Sequence, residues 1–323
     1  MLKSTYRNFH KRFHHWLYGN CAVLLYHRVS NYSTDPQMLC VSPQNFNSHI
    51  DLLNQKYNLI SIDELLKYFQ SGKKIPRKSI AITFDDGYAD NYLEALPILE
   101  KHNTQALFYI ATGTLNTNKE FWWDAVERII LISNEKTNLE TFQLRNKTYS
   151  LNTKNKTEKH ILYESLLPEF RLMNPIEREE KINELSFIFN APKDRESHRS
   201  LTFDELKLMS KSSSAIIGAH THMHPSLAAL DSKNQFHEII TSKNILEELL
   251  NKDIIHFSYP FGGSSNFNEE TVNICKKLNF QMVAANFPAM SNKYSNKFYF
   301  PRFLVRDWDS IEFENKLNQF FAQ

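Results

Sequence analysis

Two adjacent carboxylates, Asp85 and Asp86, come directly after a short apolar stretch and before Gly87. The stretch from Ser79 to Phe84 contains β-branched residues and predicts a buried strand. Neighbouring side chains on a strand point to opposite faces, but a bend at Gly87 can turn both acids towards one site. Ligands of α/β folds lie beyond the carboxyl ends of strands, so these acids could bind a metal or transfer a proton. Taken alone, Asp-Asp-Gly is an ordinary solvated turn in most proteins.

Histidines follow a second apolar strand, which we predict near Ile216 to Ala219. His220 and His224 lie four residues apart on a turn. Two neutral imidazoles and one carboxylate are a common ligand set for catalytic zinc, and they leave positions open for water and substrate. A histidine-rich turn can also lie on the surface without a ligand. Its combination with the two adjacent acids favours a metal site.

Three motifs resemble those of polysaccharide deacetylases, the NodB-homology or carbohydrate esterase family 4 group. In chain order they are Thr83-Phe84-Asp85-Asp86-Gly87, His220-Thr221-His222-Met223-His224 and Ser258-Tyr259-Pro260-Phe261-Gly262. The second motif fits the family pattern His-Ser/Thr-x-x-His. The resemblance covers most of the chain from about Ala22 onward. It implies an α/β fold, a distorted and incomplete (β/α) barrel of about seven strands, with an insertion in the middle.

The resemblance implies that Asp85 is the general base and that Asp86, His220 and His224 bind one divalent metal. Zinc is the metal we expect, and cobalt, nickel or iron also suit imidazole and carboxylate ligands. A metal in this position would lower the pKa of its bound water from about 15.7 towards about 7. Asp85 could then accept the proton of that water.

The third motif concerns the oxyanion and the support of the base. In the family the oxyanion accepts a hydrogen bond from the backbone N–H of the aromatic residue after the proline, which is Phe261 here. Tyr259, Pro260 and Phe261 are expected to border the substrate, although such a turn can also be purely structural. The family usually places an arginine two residues before the proline to hold the base, and this chain has Ser258 there. Arg302 is the candidate that replaces it.

The general acid is the second departure from the family pattern. The common pattern ends in a late Leu-x-His, and no histidine follows His256 in this chain. Leu25-Tyr26-His27 resembles the early Tyr-His of deacetylases that act on poly-N-acetylglucosamine, so we predict that His27 protonates the leaving amine. We expect its strand to neighbour the strand before Asp85. The alternative is a buried, hydrogen-bonded structural histidine.

Composition excludes some classes of protein. The chain has 323 residues, enough for one large α/β domain. The formal net charge is +2, from 38 basic and 36 acidic residues, which argues against nucleic acid as a partner. The three scattered cysteines predict neither a disulfide framework nor a Cys-x-x-Cys metal site. Together with the lack of a secretory signal pattern, they favour the cytoplasm.

The sequence divides into two unequal parts. Residues 1–20 are basic and aromatic, and predict a short amphipathic helix that either lies on the anionic inner membrane surface or packs against the domain. Residues 21–323 are predicted to form the deacetylase-like domain. Alternating strand and helix patterns there favour parallel strands. Residues 115–200 interrupt this alternation and predict a mainly helical insertion that roofs the site. Periodicity alone leaves an open doubly wound sheet as an alternative to the barrel.

Our leading hypothesis is a metal-dependent hydrolase that removes an N-acetyl or other N-acyl group from an amino sugar. An O-acetyl esterase or a non-sugar amidohydrolase could use the same site, and a catalytically silent carbohydrate-binding protein could use the same fold. The intact acids and histidines argue against silence. The lack of an export signal favours a nucleotide-linked, lipid-linked or precursor saccharide as substrate, and the basic N-terminus favours the lipid-linked form.

Overall fold

Strands and helices alternate along most of the protein, for which a computed structural model describes residues 19–32, 34–133, 140–151 and 155–322. The strands are β1 (Cys21–Tyr26), β2 (Arg28–Val29), β3 (Cys40–Val41), β4 (Asn58–Leu59), β5 (Ser79–Phe84), β6 (Ala106–Ile110), β7 (Glu140–Leu144), β8 (Lys147–Leu151), β9 (Ala215–Ala219), β10 (His256–Ser258), β11 (Met282–Ala284) and β12 (Phe303–Leu304). The helices are α1 (Pro43–Lys56), α2 (Ile62–Ser71), α3 (Leu96–Lys101), α4 (Trp122–Glu127), α5 (Lys156–Arg171), α6 (Pro175–Ile188), α7 (Phe203–Met209), α8 (Ser232–Leu250), α9 (Glu269–Lys277) and α10 (Ser310–Ala322).

One parallel sheet forms the framework of the fold. Its strands lie in the order β11-β10-β9-β6-β5-β1-β12, and β4 pairs with the first residues of β5. The two ends of the sheet approach each other, because Ala284 in β11 forms a parallel bridge with Phe300, shortly before β12. The sheet is therefore a half-barrel surrounded by helices. The predicted distorted, incomplete (β/α) barrel of about seven strands is confirmed.

The neighbouring strands β1 and β5 are buried over their whole lengths. Strands covered on both faces are apolar at consecutive positions, which is why both segments read as continuous hydrophobic runs in the sequence. They are adjacent and parallel, with Tyr26 opposite Phe84. The N–H of Asp85 donates to the carbonyl of Tyr26 over 3.0 Å. His27 and Asp85 therefore leave the sheet side by side at its carboxyl edge.

Local signals set several helix ends. Ser61 and Glu64 form the predicted capping box at the start of α2, and Thr202 and Glu205 form the second one at the start of α7. The helix predicted from Leu93 to His102 begins differently. A π-helical turn, Asn91–Ala95, precedes α3, because Pro97 has no N–H to continue a regular α-helical ladder.

The segment between β6 and α7 builds a hydrophobic core of its own. Helices α4, α5 and α6 and the β7–β8 hairpin contribute to it, with Trp122, Leu166, Phe170 and Leu185 buried at its centre. Phe261 packs against this cluster from the barrel side. This region therefore contacts the carboxyl edge of the sheet, where the third motif lies.

The remaining features concern the N-terminal segment, the cysteines and membrane-spanning helices. The N-terminal helix predicted within residues 1–20 lies almost entirely outside the described part, which starts at Gly19. The three cysteines are free thiols. Within the described residues no helix has both the length and the apolarity needed to cross a membrane.

Candidate active site

Three predicted ligands converge at the carboxyl edge of the sheet. The ligand atoms of Asp86, His220 and His224 all lie within 4.8 Å of one another, and the three residues are buried. Nε2 of His224 is 3.3 Å from Oδ1 of Asp86 and 3.2 Å from Nε2 of His220. Two imidazole nitrogens and one carboxylate oxygen facing one point fit a divalent metal of the zinc type and leave room for further ligands.

A hydrogen bond to the backbone fixes the orientation of His220. Its Nδ1 lies 2.7 Å from the carbonyl oxygen of Ser258 in β10. A carbonyl can only accept, so Nδ1 carries the proton and Nε2 is the nitrogen left to bind a metal. Burial would lower the pKa of His220, but Asp85 and Asp86 raise it above its ordinary value.

The backbone of the site is strained at four non-glycine residues. Asp86, Thr221, His224 and Phe261 have φ angles of 77°, 66°, 52° and 61°. Left-handed conformations of this kind are costly for L-residues and cluster at functional sites. The bend that we predicted at Gly87 therefore begins one residue earlier, at Asp86, and allows both neighbouring acids to face the same cavity.

The loop from His220 to His224 is held from three sides. Oε2 of Glu238 in α8 accepts from the backbone N–H groups of His222 and Met223, over 3.0 and 2.7 Å. The N–H of Gly113 donates to the carbonyl of His222 over 2.8 Å. Arg178, from α6, is buried and donates to the carbonyl of Met223 over 2.5 Å. The segment predicted to roof the site thus contributes directly to the position of the histidine loop.

Arg302 forms a two-pronged ion pair with Asp85. Nη1 and Nη2 each donate over 2.7 Å to a different carboxylate oxygen. Nη2 also donates to the hydroxyl of Ser258 over 2.8 Å, and Nε donates to the carbonyl of Ala285 over 3.0 Å. Burial would raise the pKa of Asp85, but Arg302, with help from His220, lowers it below its ordinary value. Asp85 is therefore an ionised carboxylate, 3.7 Å from Nε2 of His220.

His27 lines the same cavity as the three ligands and Asp85. Its carbonyl accepts from the side-chain amide of Asn91 over 2.8 Å, which fixes the backbone where β1 ends. Its Nδ1 is buried and has no hydrogen-bond partner among the described residues. Burial lowers the pKa of His27, and the charges of Asp86 and Asp85 oppose that shift. The structure thus brings His27 to the predicted place, with a ring nitrogen still available.

The third motif contributes Phe261 to the cavity wall. The ring of Phe261 meets that of His224 edge to face, with centroids 4.8 Å apart. In the described part of the chain its backbone N–H has no acceptor. Tyr259 and Pro260, which we predicted to border the substrate, are not among the residues that line this cavity. The hydroxyl of Tyr259 instead donates to the carbonyl of Phe298, and its ring stacks on Phe267, because this strand end turns inwards to the core.

The other two histidines that could belong to the site have structural partners. Nδ1 of His222 is 2.9 Å from the hydroxyl of Thr112, and Nε2 of His256 is 2.7 Å from Oδ1 of Asp63. Neither histidine belongs to the cluster of Asp86, His220 and His224.

The cavity at this site, of about 270 Å³, is also lined by residues that the sequence motifs did not indicate. Trp123 stands 4.7 Å from the ring of His224. The remaining ones come from separate segments of the chain: Gln37, Leu39, Arg171, Asn266, Asn286, Leu304 and Arg306. All eight of these residues lie outside the three motifs of the sequence, and Trp123 belongs to the aromatic run Phe121-Trp122-Trp123 within the predicted insertion.

A second buried cluster lies behind Trp123. Atoms of Asp124, Glu127 and His198 come within 4.8 Å of one another. Nε1 of Trp123 donates to the hydroxyl of Tyr88 over 2.7 Å, and that hydroxyl donates to Asp124 over 2.6 Å. Burial raises the pKa of Asp124 to about 7, despite the opposing charge of Arg28. A hydrogen-bonded path therefore leads from the cavity wall to a carboxyl group with a perturbed pKa.

The fold and these residues define a class of protein. The family model described as polysaccharide deacetylase matches residues 72–166 and 175–283, which is more than half of the chain. The chain belongs to the polysaccharide deacetylase family.

Curated relatives match over parts of their length. The poly-beta-1,6-N-acetyl-D-glucosamine N-deacetylase of Staphylococcus aureus strain MSSA476 is 29% identical over 154 residues, which are 47% of this chain and 49% of that protein. The enzyme of the same name from Escherichia coli strain K12 is 26% identical over 94 residues, 29% of this chain and 14% of that protein. YxkH of Bacillus subtilis strain 168 is 33% identical over 89 residues, 27% of this chain and 30% of that protein. The matched part is thus half or less of each relative.

Solved structures share the fold over nearly the whole chain. The Streptococcus pyogenes deacetylase PplD, solved in complex with acetate, has a TM-score of 0.61 at 18% identity, covering 92% of this chain and 98% of that one. IcaB from Ammonifex degensii has a TM-score of 0.60 at 17% identity, covering 93% and 97%. At these identities the likeness concerns the fold.

Proposed function

We propose that this protein is a metal-dependent N-deacetylase that removes an acetyl group from an amino sugar in a surface-glycan or lipid-linked saccharide pathway. One observation carries the proposal. Asp85, ionised and held by Arg302, lies 3.7 Å from Nε2 of His220, beside the cluster of Asp86, His220 and His224. A fixed base beside a set of metal ligands is what hydrolysis of an amide requires.

Asp86, His220 and His224 would hold one divalent ion, and we propose zinc, with cobalt, nickel or iron as alternatives. When bound, such an ion supplies a water of lowered pKa and polarises the acyl carbonyl. The hydrogen bond from His220 to Ser258 supports this assignment, because it fixes the tautomer that metal binding needs.

The residues around the ligands divide the other tasks. Asp85 accepts the proton of the attacking water, and Arg302 keeps that carboxylate ionised and directed towards the cavity. The N–H of Phe261 donates to the oxyanion that forms on the acyl group. One such donor contributes roughly 3 kcal/mol to the stabilisation of a transition state.

His27 donates a proton to the leaving nitrogen in this proposal. An amide anion is a very poor leaving group, so an acid is needed opposite the base. The adjacency of β1 and β5 supports the assignment, since both His27 and Asp85 line the cavity from neighbouring strand ends.

The cavity also offers surfaces for substrate binding. Trp123, Phe261 and Leu304 provide apolar area for the acyl methyl group, and the amides of Asn266 and Asn286 can hydrogen-bond sugar hydroxyls. These groups favour an acylated sugar over an unrelated amide.

The proposal is tested by acetate release. The metal-replete protein is assayed on nucleotide-linked, lipid-linked and oligomeric N-acetylglucosamine and on an O-acetylated sugar, before and after treatment with a chelator. We expect acetate and a free amine in equal amounts, loss of activity on chelation, and recovery on addition of zinc. His220→Ala should lose both metal and activity, whereas Asp85→Asn should keep the metal and lose activity. Release from O-acetyl esters alone would support the esterase alternative, and no release from any of these substrates would contradict the proposal.

The proposed location, in the cytoplasm with peripheral contact to the inner membrane, depends on residues 1–20, which lie almost wholly outside the described part. Deleting residues 1–11 should release the protein from anionic liposomes while hydrolysis of a soluble substrate persists. A full-length protein that ignores such liposomes would favour packing of this segment against the domain.

A further inference from the structure

The catalytic cavity carries two guanidinium groups that form no ion pair with a described residue. Arg171 is the last residue of α5, and Arg306 follows β12. Both line the cavity together with Asp85 and Asp86. Arg302 pairs with Asp85, and among the described residues no carboxylate pairs with Arg171 or Arg306.

Arg171 lies over the ring of Phe261, the residue whose backbone N–H donates to the oxyanion in the proposed reaction. Its guanidinium carbon is 4.3 Å from the centre of the Phe261 ring. Its Nε is buried and has no hydrogen-bond partner in the described chain. Besides this ring contact, the described residues offer the N–H groups of Arg171 no acceptor, so these groups are available to donate to a ligand. Burial lowers the pKa of Arg171, and no acidic side chain opposes that effect among the described residues.

Arg306 is fixed on the wall by the backbone. Its Nη1 donates to the carbonyl of Gln37 over 2.8 Å and also to that of Met38. Asp35 is the acid whose charge acts on it, but the two oxygens of Asp35 accept from the N–H groups of Leu39 and Cys40. Arg306 therefore keeps a positive charge and free N–H groups at the cavity.

We propose that Arg171 and Arg306 bind an anionic group, a phosphate or a carboxylate, that the substrate carries next to its N-acylated sugar. This inference rests on the proposed function. A half-buried cation without a partner is unfavourable in the free protein, and a substrate anion would remove that penalty. The planar fork of arginine suits phosphate and carboxylate oxygens better than sugar hydroxyls.

The position of Arg171 also limits where the anion lies. Because the Phe261 N–H faces the acyl group in the proposed reaction, a guanidinium 4.3 Å above the ring of Phe261 is within one sugar residue of the reacting amide. A sugar phosphate, as found in nucleotide-linked and lipid-linked saccharides, places its charge at that distance. A neutral homopolymer of N-acetylglucosamine would leave both arginines unused.

The test compares matched substrates. The metal-loaded protein is assayed on N-acetylglucosamine 1-phosphate, on its neutral methyl glycoside, and on N-acetylmuramic acid as the carboxylate. We expect kcat/KM to be about 10- to 100-fold higher for the preferred anion than for the neutral sugar, the range expected for charge-assisted hydrogen bonds. The anion with the higher kcat/KM shows whether phosphate or carboxylate is recognised.

Variants connect that preference to the arginines. Arg171→Gln and Arg306→Gln should each reduce the ratio of anionic to neutral kcat/KM, mainly by raising KM for the anion, and Arg171→Lys should retain part of it. Arg77→Gln is the matched control, because Arg77 is exposed and precedes β5 at the opposite end of that strand from Asp85. It should leave the ratio unchanged.

Two results would overturn the inference: equal efficiency of the wild type on all three sugars, or an unchanged ratio in both glutamine variants. If neither variant folds, as judged by circular dichroism, the salt dependence of KM is measured with the wild type alone. KM for the anionic sugar should rise with NaCl while KM for the neutral sugar does not, and two flat curves would overturn the proposal. Failure of the proposed function looks different, since no acetate would then be released from any sugar.

Discussion

Arg302 and Asp85 are 217 positions apart in the chain and meet through two hydrogen bonds of 2.7 Å. The same guanidinium donates to the hydroxyl of Ser258, which itself lies 3.3 Å from the carboxylate. Ser258 occupies the place where the family usually has its arginine. The guanidinium that supports the base thus comes from the segment before β12. It lies next to Ser258, where an arginine at position 258 in β10 would place its own guanidinium.

Removal of Arg302 should therefore affect both activity and stability. In Arg302→Met a buried carboxylate loses its partner, which costs roughly 3–5 kcal/mol for pairs of this kind. Turnover should fall about 10²-fold, because the base loses its orientation. Acetate release and urea denaturation measure the two effects.

Ser258→Arg in the Arg302→Met background is the informative partner variant. It places a guanidinium near Asp85 again, now from β10, and should recover part of the lost turnover and stability. Arg302→Lys keeps the charge without the fork and should recover less. A double variant no better than Arg302→Met would show that support of Asp85 requires more than a charge in that space.

Gly262 and Gly72 allow the geometry around Phe261 to be tested. Both have a φ angle of 64°. A Cβ on Gly262 would lie 2.6 Å from the backbone nitrogen of Asn286, whereas a Cβ on Gly72 would meet nothing within 4 Å. Replacement of either by alanine carries the cost of a left-handed residue, roughly 1–2 kcal/mol. Gly262→Ala should also displace Phe261 and lower kcat about 10²-fold, the effect of losing one oxyanion donor.

Gly72→Ala is the control, since it shares the backbone strain without the clash. In urea denaturation its free energy of unfolding should fall by roughly 1–2 kcal/mol, the cost of the left-handed alanine, and its turnover should stay unchanged. Equal turnover of the two alanine variants would argue against a role for the Phe261 N–H.

His27→Ala should separate the acid from the metal site. Without a proton donor for the leaving nitrogen, turnover should fall roughly 10²–10⁴-fold. Metal content, measured by mass spectrometry of the purified protein, should be retained, because His27 is not among the three clustered ligands. His237→Ala, at an exposed position on α8, should change neither quantity. Near wild-type turnover of His27→Ala on the true substrate would contradict the assignment.

The sequence was most informative where a single segment carries its own signal. The continuous apolar runs of β1 and β5 predict buried parallel strands, and Ser61 with Glu64 predicts a helix start, because each depends on local chemistry. Residues that follow strand ends reach the same edge of a parallel sheet. This rule is sufficient to predict that Asp86 and His220, which are distant in the sequence, lie close together.

Other features depend on packing between distant segments and could not be predicted in this way. Arg171 reaches the cavity only because α5 packs beside Phe261. Tyr259 belongs to a motif, yet the path of the backbone after β10 directs its ring to Phe267. Arg302 was named as the support of Asp85 because an arginine was missing elsewhere. Its fork geometry depends on how β12 lies beside β1.

The last prediction concerns Asp124, whose pKa burial raises from 3.8 to about 7. The folded state then holds this proton more tightly than the unfolded chain does. The contribution of Asp124 to stability is complete below about pH 4 and is lost as pH rises to about 7, a loss on the order of 4 kcal/mol.

Asp124→Asn removes the titration while its amide oxygen can still accept from Tyr88. In urea denaturation the variant should therefore be more stable than the wild type at pH 8, and the gap should close towards pH 4. Asp51→Asn, at an exposed position of α1, is the matched control for removal of one carboxylate. Parallel stability curves for Asp124→Asn and the wild type would show that the Asp124 carboxyl does not titrate in this range.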